Sequence, residues 1–164
     1  MSAPTPVSSL VHSSTLVTAG IYLRIRFFLF FSFKFLCQCF LFICLITSLI
    51  AGFIACVEVD LKKLVAISTL RHLGLIMFIL IFGRVENCFF HLLVHALFKS
   101  LLFLTCGFII LINLRNQDIR FLNVKFFLRK SVFILLVISC LRICGLPFFS
   151  GFFSKDFLLE VLFV

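Results

Sequence analysis

Five long apolar stretches, separated by short charged connectors, limit what this chain can fold into. They run over residues 7–23, 36–57, 64–83, 88–114 and 131–164. The hydrocarbon core of a bilayer is about 30 Å thick, and a helix needs about 20 apolar residues to cross it. Each stretch is therefore long enough for a crossing, and we predict an all-α polytopic membrane protein with about five transmembrane helices.

The composition excludes the other broad classes of protein. Hydrophobic residues make up 63% of the chain and charged residues 13%, whereas a soluble domain has about 45–50% apolar and about 25% charged residues. The composition excludes a soluble enzyme. It also excludes a disordered chain, because disordered chains are poor in apolar residues. The eight cysteines lie in apolar stretches without metal-ligand spacing. We therefore predict that they pack as small apolar side chains in helices and form no metal site.

The fifth stretch is too long for one straight crossing. As a continuous helix, Ser131–Val164 would extend about 51 Å at about 1.5 Å per residue. Gly145, Pro147 and Gly151 lie in its middle and disfavour helix. We predict a broken helix with an unwound segment at 145–151, a feature that recurs in ion-coupled transporters. The alternative is a simple proline kink.

Fifteen Lys and Arg residues against six Asp and Glu residues give the chain a net charge of +9. The connectors at 58–63 and 115–130 carry seven Lys and Arg residues, and those at 24–34 and 83–87 carry four. The richer pair should face the cytoplasm or its organelle equivalent. The surplus favours contact with anionic phospholipid. It does not favour nucleic-acid binding, because no basic run is interleaved with polar sequence.

Ionisable residues occur near the middle of four of the five spans. They are His12, Arg71, His72, His91, His95, Lys99, Arg142, Lys155 and Asp156. A charge at the centre of a membrane helix costs about 2.5–3.5 kcal/mol on insertion scales. Such residues usually face a bundle interior and mark ion paths or proton relays.

His91, His95 and Lys99 recur every four residues in the fourth span. Each step turns by only about 40°, so the three side chains share one face of a helix over about 12 Å. Imidazoles titrate near neutral pH. We predict that these residues and water form a proton relay. The alternative is that each His only bonds across the bundle and that Lys99 pairs with a carboxylate of another chain.

Lys155 and Asp156 follow the predicted break, where a helix N-terminus would oppose the ammonium group. We predict that Lys155 carries a proton, the alternative being an ion pair at the membrane surface. Arg71 and Arg142 do not deprotonate in proteins, so we expect them to anchor carboxylates or tune their neighbours. No acidic residue lies within the first four spans, so any carboxylate partner must come from elsewhere.

Several long motifs resemble, in collinear order, the chain 5 family of antiporter-like subunits of NADH:ubiquinone oxidoreductase (respiratory complex I), which is encoded in mitochondrial genomes. The motifs are Met1–Gly20, Asp60–Thr69, His91–Lys99, Gln117–Arg120 and Gly145–Asp156.

The resemblance implies a broken-helix, inverted-repeat fold and a proton half-channel coupled to electron transfer from NADH to ubiquinone. It implies the mitochondrial inner membrane as location and the other membrane-arm subunits of complex I as partners. It implies no cofactor in this chain, because NADH, FMN, iron–sulfur clusters and ubiquinone would bind elsewhere in the complex.

The resemblance also assigns roles to individual residues. His12 matches the central basic position on the helix after the first broken helix. Lys155 matches the lysine of the second broken helix, with Asp156 beside it. The relay between half-channels matches His91, His95 and Lys99.

The match covers only the middle of the family's chain, so we expect a fragment or a shortened form. The family's glutamate–lysine pair would lie before Met1. Arg71-His72 stands where a small or neutral polar pair is usual, and Arg142 where an apolar residue is usual. The alternatives are a bacterial-type cation/proton antiporter subunit and a degenerate or structural membrane segment without transport activity.

Overall fold

A computed structural model describes residues 7, 15–27, 34–121 and 130–154. Over these residues the chain is built from helices, which confirms the all-α prediction. The helices are α1 (Leu16–Arg26), α2 (Lys34–Val57), α3 (Leu61–Ile81), α4 (Val85–Ile112) and α5 (Lys130–Cys144), with a short 3₁₀ turn at Ile119–Phe121.

Three of the described helices are long and apolar enough to cross a membrane: Cys37–Val57 within α2, all of α3 and all of α4. Their ends lie within a few residues of the predicted spans. The sequence predicts that the first span ends at residue 23, but α1 continues through Arg26. Arginine is a good helix former, and the guanidinium of Arg24 lies 4.0 Å from the ring centroid of Phe40, so these charges do not end the helix.

The pair formed by α3 and α4 is the centre of the packing. Helix α3 contacts α2 and α4, and α4 also contacts α5 and α1. One apolar cluster joins α1, α3 and α4 around Ile21, Ile76 and Cys88, and a second joins α3 and α4 around Val65 and Phe103. Along their helices, His72 of α3 and His95 and Lys99 of α4 lie between the residues of these two clusters.

Helix α5 ends in a C-terminal cap and does not continue through a kink. Gly145 has a φ of 80°, and its N–H donates to the carbonyl of Arg142 at 3.3 Å. The N–H of Leu146 donates to the carbonyl of Leu141 at 3.4 Å. These two bonds form a Schellman motif, which requires a residue such as glycine in the left-handed region. The chain becomes helical again over 150–154, so the predicted break is a true interruption.

Two connectors pair with each other at one end of the bundle. The N–H of Leu61 donates to Gln117 at 3.1 Å, and the N–H of Ile119 donates to Val59 at 3.2 Å. Asp60 and Asp118 face each other across this bridge. The pKa of Asp60 is lowered by its hydrogen bond from a lysine, and that of Asp118 is raised because its protonated form donates to Asp60. The connectors after α2 and after α4 therefore lie on the same side.

Candidate functional site

The inward face of α4 carries a line of three basic side chains. His91 is 4% exposed, His95 5% and Lys99 1%. They lie on one face, as their four-residue spacing requires, and this face packs against α3 and α5. Burial of polar and charged groups is costly unless they have hydrogen-bond partners. The chemistry of these three side chains therefore depends on the partners that the neighbouring helices supply.

Lys99 reaches across to α3. Its Nζ donates a hydrogen bond to Oγ of Ser68 at 2.6 Å, and Oγ of Ser68 donates to the carbonyl of Val65 at 2.7 Å. Hydrogen bonds from a charged donor are shorter and stronger than neutral ones. Ser68 therefore fixes the position of the ammonium group on the α3 side of the interface.

A fourth basic side chain of the interface, His72, comes from α3. It is buried, and its ring centroid lies 5.4 Å from that of His95 and 6.3 Å from that of His91. His72 is one of the ionisable residues near the middle of the spans, but the sequence predicts no specific role for it. Its position follows from a signal in the sequence, because His72 shares the inward register of α3 with buried Val65 and Ile76, at helical spacings.

A small cavity joins the three imidazoles to α5. It is lined by Val94, Phe98 and Ile143 and by the polar or small residues His72, His91, His95, Arg142, Gly151 and Ser154. Its volume is about 20 Å³, and about 10–15 Å³ is enough to hold one water molecule. Neither ring nitrogen of His95 has a hydrogen-bond partner among the described residues. A water in the cavity could satisfy a buried nitrogen and link the rings.

Arg142 faces this cavity from α5. Its guanidinium carbon lies 4.5 Å from the ring centroid of Phe98 and 5.7 Å from that of Phe149. Both distances fit a cation–π interaction. We expected Arg142 to anchor a carboxylate or to tune its neighbours. In the described part of the chain it contacts aromatic rings, and a tuning role stays a prediction. Arg71, the neighbour of His72, is exposed on the other face of α3 and does not line the cavity.

Three of the six predicted site residues lie outside the described residues: His12, Lys155 and Asp156. The other three lie together on α4. Ser154, the last described residue, lines the cavity and donates to the carbonyl of Gly151 at 3.2 Å. Within the described ranges, no group of three or more His, Cys, Asp or Glu side chains could hold a metal ion.

The arrangement suits movement of protons. Three imidazoles, a lysine and a hydroxyl lie in one buried interface, and the imidazoles contact a space that fits one water. An imidazole can accept a proton on one ring nitrogen and release one from the other. No described feature of this interface resembles a pocket for an organic substrate, because the cavity has room for little more than water.

Comparison with known proteins identifies the family of membrane proteins to which the chain is similar. The family model described as NADH:quinone oxidoreductase/Mrp antiporter, transmembrane, matches residues 1–164. The chain is 47% identical to NADH-ubiquinone oxidoreductase chain 5 of Apis mellifera ligustica over 165 residues, which are 99% of this chain and 29% of that relative. The proteins of the same name from Aedes aegypti and Locusta migratoria are each 50% identical to it, and the match covers 99% of this chain and 28% of each relative.

The chain thus spans less than a third of the length of these curated relatives. The match to the family model extends over every residue of the chain. The described helices, three of them long enough to cross a membrane, agree with that match. The chain belongs to the NADH:quinone oxidoreductase/Mrp antiporter family of membrane proteins.

Proposed function

We propose that this chain forms part of the proton path in a chain 5-type membrane subunit of NADH:ubiquinone oxidoreductase, in the mitochondrial inner membrane. The names of the relatives support this assignment over a bacterial-type cation/proton antiporter. The oxidation of NADH and the reduction of ubiquinone would take place in other subunits. This chain would contact the other membrane-arm subunits and phospholipid.

The observation that carries the proposal is the buried line of His91, His95 and Lys99. Three such groups in one membrane helix oppose insertion unless they face the bundle interior and have partners. A degenerate segment has no reason to keep them buried together, whereas a proton relay requires titratable groups at short spacing inside the bundle. The bond between Lys99 and Ser68 shows how one of these charges is held.

The proposed steps follow from the chemistry of each group. His91 and His95 accept a proton on one ring nitrogen and release one from the other, with water in the cavity linking them. Lys99 holds a proton as ammonium, and Ser68 orients it. By the resemblance, the path continues through His12 at one end and through Lys155 and Asp156 at the other.

Lys99→Met tests the proposal in the full subunit within the assembled complex, reconstituted into sealed vesicles. Methionine keeps the length and the apolar stem of lysine but cannot hold a proton. We expect normal assembly and a loss of proton translocation of about tenfold or more, equal to about 1.4 kcal/mol or more on the barrier. The measurement is the rate of NADH-driven proton translocation, with the rate of NADH oxidation recorded in the same vesicles.

Lys130→Met is the matched control, because Lys130 is exposed at the start of α5 and takes no part in the line. It should assemble and translocate protons like the unmodified subunit. Normal translocation by an assembled Lys99→Met variant would contradict the relay.

A further inference from the structure

A second polar line lies opposite the first, on α3. Ser68 and His72 are four residues apart and so share a face of this helix. Ser68 accepts the hydrogen bond from Lys99, and the ring of His72 contacts those of His91 and His95. The two lines are thus joined at both ends of the interface.

We propose that His72 is a further proton carrier, which passes protons between His91 and His95 across the interface of α3 and α4. This inference rests on the proposed function. It adds a residue to which the resemblance gives no role, since a small or neutral polar residue is usual at this position in the family.

The geometry supports a bridging position for His72. Its ring lies 5.4 Å from one α4 imidazole and 6.3 Å from the other, centroid to centroid. All three rings line the same cavity, which has room for about one water. At these distances a proton can pass from one ring to the next directly or through a single water. No side chain therefore needs to move far.

The transfer balances without any other reactant. A protonated His91 gives the proton of one ring N–H to the lone pair on a ring nitrogen of neutral His72. His72, now an imidazolium, releases the proton on its other ring nitrogen to neutral His95. One N–H bond breaks and one forms at each step, and a single positive charge moves from His91 to His95. His72 ends neutral, in the other tautomer.

Among the described residues, the charged and titratable groups that face His72 come from two packed helices. Helix α4 contributes His91, His95 and, through Ser68, Lys99, and α5 contributes Arg142. Arg142 keeps a permanent positive charge beside the cavity. Its Coulomb repulsion opposes a second extra charge there, which favours the passage of one proton at a time.

The test uses His72→Gln and His72→Asn in the full subunit of the assembled complex, in sealed vesicles. Both amides keep polarity but have no titrating ring. Arg71→Gln is the matched control, one residue away on the exposed face of α3. The rate of NADH-driven proton translocation is measured between about pH 5 and 8, where imidazoles titrate, and Lys99→Met is measured in parallel.

We expect both His72 variants to assemble and to translocate protons several-fold more slowly, with a flatter pH profile than the unmodified subunit. Arg71→Gln should leave the rate and the profile unchanged. A purely structural role would scale the rate by one factor at every pH, and that result would overturn the proposal. Failure of both variants to assemble would also overturn it, since a carrier position tolerates a neutral polar replacement.

The outcomes separate the two proposals. If Lys99→Met abolishes translocation and the His72 variants behave like the unmodified subunit, the relay stands and His72 is not a carrier. If Lys99→Met has no effect, the proposed function itself fails, whatever the His72 variants do.

Discussion

Ser68 decides where the ammonium group of Lys99 lies. Its hydroxyl donates to the carbonyl of Val65 within α3, and this bond points its oxygen lone pairs toward α4. Lys99, 1% exposed, donates to that oxygen at 2.6 Å. A serine that in most helices only bonds its own backbone here also positions a buried charge, so its loss should affect function more than folding.

Ser68→Ala should therefore slow proton translocation in the assembled complex. A hydrogen bond to a charged group contributes about 1.5–3 kcal/mol, and a loss of about 1.4 kcal/mol in positioning corresponds to about tenfold in rate. The measurement is the rate of NADH-driven proton translocation in sealed vesicles, with assembly checked on native gels.

Ser48→Ala is the matched control for this prediction. Ser48 donates to the carbonyl of Leu45 at 2.8 Å in the same local geometry, in an exposed hydrogen bond on α2, although the side chain itself is half-buried. Its removal should have no effect, and Ser68→Thr, which keeps the hydroxyl, should restore most of the rate. Equal rates for Ser68→Ala and Ser48→Ala would show that Ser68 does not position Lys99.

The residues that the sequence could identify were those with a pattern on one helix. The four-residue spacing of His91, His95 and Lys99 is enough to place them on one face. Helical spacing also places His72 on the inward face of α3, but its ring contacts with α4 and the bond between Ser68 and Lys99 depend on how the two helices pack. The aromatic partners of Arg142 depend on how α4 and α5 pack, which a single sequence does not contain.

At the scale of elements, the end of α5 brings two chain segments unusually close. The left-handed Gly145 turns the chain, and Gly151 then lies against the backbone of Arg142. A Cβ at Gly151 would overlap the carbonyl oxygen of Arg142. Proline and glycine in the sequence predicted the break, but the Schellman cap and this close approach became visible only in three dimensions.

Gly151→Ala should destabilise this end of the bundle. Overpacking of a close contact costs about 1–3 kcal/mol, and the backbone carbonyl cannot move as easily as a flexible side chain. The measurement is the thermal stability of the purified complex in detergent, followed by the fraction that stays assembled on native gels.

Gly52→Ala provides the comparison, because a Cβ at Gly52 in α2 would meet nothing within 4 Å. Alanine is favoured over glycine inside a helix by about 1 kcal/mol, so this variant should be as stable as the unmodified subunit or more stable. A Gly151→Ala variant of unchanged stability would mean that the contact with Arg142 relaxes at no cost.

At the scale of the whole molecule, two paired connectors mark one end of the helix bundle. The bridge between Asp60 and Asp118 places the connectors after α2 and after α4 at one end. These two connectors carry most of the basic loop residues, which the positive-inside rule assigns to the cytoplasm or its organelle equivalent, the matrix under the proposed function. The sequence could predict their shared side from the alternation of helices, but not their direct pairing, because β-bridge contacts between distant loops have no local signature.

This arrangement predicts from which side of the membrane a water-soluble reagent can reach each connector. Cysteines introduced by Glu58→Cys and Asn116→Cys should react with a membrane-impermeant maleimide in vesicles whose matrix side faces outward, and not in the opposite orientation. Glu86→Cys, exposed in the first turn of α4, should show the reverse. The background from the eight native cysteines is measured on the unmodified subunit. Labelling of Glu58→Cys and Asn116→Cys from opposite sides would contradict the bridge, whereas labelling of both from the other side would reverse only the orientation.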